Sequence, residues 1–324
     1  MMSKFESGRA ITFDFESKEI NDVSLTNIPQ KIKENLFCWG HLSPNEGGYE
    51  VLESVGIDKD IIERIMGSQD HGVLRFGRSA LHCTLMEAVV HEDDLELSPI
   101  HLIIGTNFMF TMSAGRSQVI SSVCESYEED FYQYAQSGGF LLFELVDSLI
   151  FDYRQCLGAL ASNVESMQSR LIRNDKDDDI FHDFSTLSAA LLGFRNAVAA
   201  ARESVDGLST RRSQFLSESA QPFLSRQVMP LDRLSGDITT ERAILSETLN
   251  LYMGMTSYKT NLVINRLMII SMVFLPLNFM AAVYGMNFKY IPEFSWRYGY
   301  LGFWCFALSL VAAIVIFFRK KKWI

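Results

Sequence analysis

Residues 267–286 read LMIISMVFLPLNFMAAVYGM, twenty positions without a charged side chain, and residues 298–318 read YGYLGFWCFALSLVAAIVIFF, another twenty-one. Each run matches the ~20 residues an α-helix needs to cross ~30 Å of hydrocarbon. Charge-free runs of that length are rare in the cores of soluble proteins. Two membrane spans are therefore expected. The chain then continues Arg319-Lys320-Lys321-Lys322-Trp323-Ile324, and dense positive charge beside a span stays on the cytoplasmic side. With two spans the other terminus falls on that side too. The expectation is a cell (inner) membrane protein with both termini cytoplasmic and Asn287 to Arg297 facing out. Trp296, Tyr298, Tyr300 and Trp323 stand where interfacial aromatics are expected.

The remaining ~265 residues carry most of the charge. In all 324 residues there are 29 Lys+Arg against 39 Asp+Glu, a formal charge of −10, which argues against a nucleic-acid-coating surface. Charged residues at 21% and hydrophobic residues at 48% describe a folded chain rather than a disordered one. Five scattered cysteines form no CxxC pair, which fits a reducing compartment and excludes a disulfide framework. The opening MMSKFESG is polar and lacks the apolar core of a secretory leader. Six histidines show no HExxH spacing, and neither a Walker motif nor a GxSxG elbow occurs. No cofactor and no enzymatic activity are expected.

Residues 1–126 read as a mixed α/β domain. The runs VLRFG, LHCTLMEAVV and HLIIGTNFMFTMSA look like strands, the last with a hairpin turn at Thr106-Asn107, and helices flank them around 27–36 and 59–67. Residues 127–229 read as long helices. Phe140, Phe143, Leu145, Leu149, Tyr153 and Leu157 fall at helical spacing in one, and Asp183 to Ser219 forms another. Pro222 and Pro230 punctuate the chain, and no further proline occurs before Pro276. Asp232 to about Tyr284 can thus be one helix, a stalk over 230–266 running into a first span over 267–286, roughly 80 Å long at ~1.5 Å per residue. An outer loop (287–297), a second span (298–318) and a basic tail (319–324) follow.

The stalk and first span carry a seven-residue rhythm. Asn261, Met268, Leu275 and Ala282 form one row; Ile264, Ser271, Asn278 and Gly285 form the interleaved one. Rows three and four apart make a single stripe that can face a bundle axis. This stripe mixes amides and a hydroxyl with apolar groups, and Asn278 is costly against lipid. It reads either as the lining of a polar path or as a packing seam with interhelical hydrogen bonds. Two helices per chain cannot enclose an ion path, so a path requires several copies around an axis. Two acidic clusters, 91–96 (HEDDLE) and Asp175-Lys176-Asp177-Asp178-Asp179, can attract cations. The second lacks the Gly and terminal Glu of an EF-hand loop, and solvated loop charge is the plainer reading of each.

Tyr284-Gly285-Met286-Asn287-Phe288 resembles the YGMNF signature of the CorA family of divalent-cation transporters. The resemblance extends through Ile291-Pro292-Glu293-Phe294, like that family's MPEL loop, then Trp296, Tyr298-Gly299-Tyr300 and the terminal Lys322-Trp323-Ile324. Upstream, Lys259-Thr260-Asn261 and Phe274-Leu275-Pro276-Leu277 are also similar. About 70 residues are covered, in matching order and spacing.

The resemblance implies a CorA-like funnel: an α/β cytoplasmic domain, a long helical stalk and two transmembrane helices, assembled as a homopentamer in the lipid bilayer. The first span of each copy would line the pore. Gly285, Met286 and Asn287 would form the selectivity filter, with Asn287 reading Mg²⁺ through its hydration shell and Gly285 letting the backbone turn. Asn261, Ile264, Met268, Ser271, Leu275 and Asn278 would line the pore, with Leu267, Met268 and Leu275 as an apolar gate and Glu293 at the outer mouth. Relatives bind Mg²⁺ at acidic sites between cytoplasmic domains as a regulatory ligand. Here the corresponding stalk position is Asn250, leaving Asp237, Glu241, Glu247 and the cluster Asp175, Asp177, Asp178 and Asp179 as candidates for cation sensing. The expected function is potential-driven uptake of Mg²⁺, with Co²⁺ and Ni²⁺ as further substrates. A ZntB-like Zn²⁺ carrier, proton-coupled or not, is the nearest alternative, although those relatives usually relax the YGMNF and PEL elements retained here. A membrane-anchored cytoplasmic sensor is a third reading, one that needs no polar stripe.

Overall fold

The computed structural model describes residues 9–44, 47–67, 74–91, 94–173, 180–287 and 296–321. Contacts divide the chain into two units, residues 1–248 and 249–324.

The first unit is built on a seven-stranded sheet of β1 (Arg9–Asp14), β2 (Glu19–Ser24), β3 (Phe37–Leu42), β4 (Leu74–Phe76), β5 (Leu81–His91), β6 (Asp94–Ile104) and β7 (Phe108–Ser113), in the order β2-β1-β3-β7-β6-β5-β4. All pairs are antiparallel except β3–β7, which run parallel. The expected turn at Thr106-Asn107 does join β6 to β7, closed by Gly105 N–H donating to Phe108 O at 2.8 Å. Successive side chains alternate between faces. Cys38, Leu42, Ile103, Phe110 and Met112 pack on one face with Leu52 of α2 (Gly48–Val55) and Ile61, Ile62 and Ile65 of α3 (Lys59–Gly67). The short α1 (Ile28–Lys33) adds Ile28 to this core.

The opposite face meets α4 (Gln118–Gln133) through aromatic rings, with Phe13 and Phe131 centroids 5.1 Å apart and Trp39 and Tyr127 5.6 Å apart, edge to face. Two long helices, α5 (Gly139–Arg173) and α6 (Ile180–Thr210), pack with β5 and complete the layering of helices on both sheet faces. A Cβ on Gly138, just before α5, would run into the Phe37 ring, so the chain passes there only as glycine.

The six residues read at helical spacing all lie on α5, with Leu145, Leu149 and Tyr153 buried and Phe140, Phe143 and Leu157 half-buried. Two details of helix extent depart from the sequence reading. The second long helix stops at Thr210 and does not reach Ser219. Most consequentially, α7 runs from Gln221 to Tyr284 as a single 64-residue helix, so Pro230 is inside it rather than ahead of it. Proline there deprives the Arg226 carbonyl of its intrahelical donor, and Arg226 is solvent-exposed, so water can satisfy that oxygen. At ~1.5 Å per residue α7 is about 96 Å long. Its buried residues, Leu224, Gln227, Leu231, Leu234, Ile238, Leu245 and Thr248, follow helical spacing and belong to the first unit.

Glu87 of β5 is 4% exposed, and its Oε1 accepts from Gln118 N–H (2.6 Å) and Val119 N–H (3.1 Å), the first amides of α4. Ser117 Oγ caps the same turn by accepting from Ile120 N–H. A buried carboxylate is tolerable here because it faces the positive end of a helix and its free donors. Glu87→Ala is expected to lower stability by about 2 kcal/mol, since it strands two amides, while Glu87→Gln keeps one acceptor and costs less. Denaturation midpoints of the two variants, followed by far-UV circular dichroism, check this order.

Candidate functional site

From Leu249 to Asn287 no residue is buried within the chain. This part of α7 and the whole of α8 (Gly299–Lys320) belong to the second unit, and among the described residues α7 and α8 are the two helices long and apolar enough to cross a membrane. They touch near one end, where the Tyr284 and Phe303 rings meet edge to face at 5.5 Å. Trp296 packs over Gly302, with the position of a Cβ there only 3.1 Å from the indole.

Because α7 is unbroken, the stripe inferred from spacing lies on one helix surface. Asn261, Ile264, Met268, Ser271, Leu275 and Asn278 are all exposed, Leu275 at 72%. Rows seven apart drift by only ~20° per repeat, so the six share one side over nearly five turns. Leu267, also exposed, is one position round from Met268. Asn261 and Asn278 make no side-chain hydrogen bond among the described residues, and the same holds for Asn287. Pro276 has no amide hydrogen, so the Met272 carbonyl lacks its usual donor in the same apolar stretch. Amides and a carbonyl without partners on an apolar helix require polar company from outside the chain.

Gly285 follows the last residue of α7 without adopting a left-handed backbone. Its N–H still donates to Ala281 O (3.0 Å) and Ala282 O (3.1 Å), and among the described residues only Gly47 and Gly56 are glycines with positive φ. The turn therefore needs no left-handed glycine. What a side chain would meet is backbone, with Ala281 O at 3.2 Å from a Cβ. Met286 N–H donates to Val283 O at 3.3 Å, and Asn287 follows, exposed and outside regular structure.

The other expected positions are dispersed. Asp237 and Glu247 are exposed and Glu241 is half-buried on α7. Glu293, Asp175, Asp177, Asp178 and Asp179 lie outside the described residues. Among the described residues no three His, Cys, Asp or Glu side chains converge as a metal-binding group. Of the 91–96 cluster, Glu92 and Asp93 lie outside the described residues, while His91 pairs with Asp94 across β5 and β6 and its Nε2 is 3.5 Å from Glu96, both well exposed. One polar assembly had no counterpart in the sequence reading. His82, Thr84 and His101 meet on the sheet because the β5–β6 register sets Thr84 opposite His101 and His82 opposite Ile103.

A helical-sheet unit joined by one continuous helix to a pair of adjacent apolar helices, the first bearing unpartnered amides, defines a two-span membrane protein with a polar face on its first span. The family model described as CorA-like Mg²⁺ transporter protein matches residues 34–322, and the chain belongs to that family. The cobalt/magnesium transport protein CorA of Thermotoga maritima is 24% identical over 278 residues, covering 85% of this chain and 79% of the relative. The complete structure of the CorA magnesium transporter from Methanocaldococcus jannaschii matches with a TM-score of 0.80 over 98% of both chains, at 15% identity. The ZntB cytoplasmic domain from Vibrio parahaemolyticus matches at 0.52, at 11% identity, over 76% of this chain and 99% of that one. The α/β domain, long helix and two apolar helices read from the sequence are thus the fold of this chain, and the family is one of transporters rather than enzymes.

Proposed function

We propose that this chain carries divalent cations, Mg²⁺ foremost with Co²⁺ and Ni²⁺ as further substrates, across the inner membrane through a pore lined by α7 of several copies, five in the reading adopted here. The observation that carries this is the pair of unpartnered carboxamides, Asn261 and Asn278, on the exposed surface of a helix apolar enough to span, with a third, Asn287, just beyond its end. Gathered round an axis, those amides point their oxygens at a central column of water. Family membership and the transport activity named for the Thermotoga maritima relative support the same reading.

Mg²⁺ gives up its water reluctantly. A ring of neutral oxygens at Asn287 can accept hydrogen bonds from the ion's hydration shell without the tight hold a carboxylate ring would exert, and conduction needs binding weak enough to release. Below the mouth, Leu275 and the Leu267/Met268 level are apolar and close the path by excluding water, while Asn278 and Asn261 offer the hydrated ion stations on either side. The inward-negative potential supplies ~4.6 kcal/mol per 100 mV for a charge of +2, so no nucleotide hydrolysis is needed. Regulation by Mg²⁺ at Asp237, Glu241 or Glu247 would have to be built between copies, as these three form no metal group within one chain. No specific observation favours Zn²⁺ carriage over this reading.

Asn287→Ala is expected to abolish Mg²⁺ flux into proteoliposomes while the assembly stays intact by size-exclusion chromatography; undiminished flux removes Asn287 from the filter. Leu275→Asp hydrates the constriction and is expected to raise cation leak at zero potential, whereas a tighter pore contradicts its role as gate. Flux of Mg²⁺ and Zn²⁺ measured side by side, with and without an imposed proton gradient, tests the substrate.

A further inference from the structure

Among the described residues of the first unit, positive charge predominates in a recess whose construction begins at Asp58. Asp58 Oδ2 accepts from Arg78 N–H (2.9 Å) and Ser79 N–H (3.2 Å), and Asp58 N–H donates to Ser79 Oγ (2.9 Å). These bonds tie the start of α3 to the turn between β4 and β5. Gly77 completes that turn by donating to Ala80 O, and a Cβ on it would crowd both Ala80 O and Ile61. On the adjoining edge strand Arg75 is paired with His82, so the two side chains share a sheet face. That face also receives α3, whose Ile61 and Ile65 are in its core.

Between α3 and β4 a recess of about 600 Å³ results, lined by Lys59, Arg64, Arg75 and Arg78 together with Asp58, Asp60, Phe76 and His82. The Asp58 carboxylate is already engaged by the two amides. Lys59, Arg64 and Arg75 form no ion pair among the described residues. Arg211 brings a further guanidinium to 5.6 Å from the centre of the Phe76 ring. Four cations against two carboxylates is a concentration of positive charge that the overall −10 of the chain makes unusual.

His82 supplies the second, independent observation. It lines the recess yet is only 2% exposed, and its Nδ1 is shielded from solvent without a hydrogen-bond partner. Its Nε2 is 3.2 Å from His101 Nδ1 and 3.3 Å from Thr84 Oγ1. Burial, reinforced by His101, Arg75 and Arg64, pushes His82 down to about 4, so the ring is neutral at ordinary pH. When His101 Nδ1–H donates to His82 Nε2, His82 carries its own proton on Nδ1, a donor lacking an acceptor. A buried donor left unpaired is costly, and a ligand oxygen supplies the acceptor once the side chains that shield Nδ1 move aside.

We propose that this recess binds a phosphate-bearing small molecule, with Arg64 and Arg75 as the charged clamps and His82 as a neutral donor. Guanidinium forks match phosphate oxygens in pairs, and the volume is in the range of small-molecule sites, so there is room for an organic group beyond the phosphate. Phe76, 37% exposed, offers an aromatic surface for that group. The site is independent of the ion pathway and uses none of its residues.

The test is isothermal titration calorimetry on the full chain in detergent with EDTA present, using inorganic phosphate in one arm and ATP in the other. Saturable binding of either probe is expected, weakened at least tenfold by Arg64→Gln with Arg75→Gln and also by His82→Phe. Tighter binding of ATP identifies a phosphorylated metabolite, and tighter binding of inorganic phosphate identifies the free anion. Because His82 is buried, the exposed single variant Arg75→Glu serves as a second probe, its fold checked by circular dichroism. No saturable heat from either probe, or affinities unchanged in the folded arginine variants, overturns the proposal.

Discussion

Beyond Thr248 the long helix has nothing of its own chain substantial enough to bury it. The part of α7 up to that point follows a regular buried row, and the part after it exposes large apolar side chains at nearly every turn. Exposed apolar surface on this scale is stable only against lipid or against other protein. Lipid cannot serve every side, because the same stretch carries carboxamides and a proline-released carbonyl that hydrocarbon would leave unpaired. The two requirements together demand that one side of the helix face lipid and the other a polar interior, which a lone copy does not contain.

This constraint links the two halves of the sequence. A helix of 64 residues is continuous through both units, with the first unit's buried row near its start and the stripe of Asn261 to Asn278 near its end. Its continuity gives the stripe its geometry. A break between Asn261 and Asn278 would rotate one amide away from the other, and the unbroken helix avoids that even at Pro276. The first unit spends its own polar groups differently, as with Glu87, which is sealed inside and fully used as a helix cap.

Much of the membrane part was legible because its signals are long. Twenty uncharged residues and a repeat of seven over nearly five turns outweigh any local exception. The strands at 9–14, 19–24 and 37–42 were not read from the sequence. β2 is an edge strand with an exposed, charged pattern, and β1 and β3 are too short to establish a period. Pro230 suggested a helix boundary that does not exist, since its unpaired carbonyl is at a solvated position where the loss is small. The Gly285-Met286-Asn287 motif was visible in the sequence, but the turn at Gly285 without positive φ was not, because nothing in the residue identity distinguishes a fraying helix end from a left-handed cap. The His82–Thr84–His101 contact depends on the pairing register of β5 with β6, which no pattern within either strand specifies.

A single quantity bears most directly on the self-assembled polar interior, and that is the mass of the purified particle. Native mass spectrometry of the detergent-solubilised protein is predicted to give five copies of the 36.8 kDa chain. A particle that stays monomeric at working concentration would leave the amides of α7 facing lipid or detergent, and the pore would have no walls.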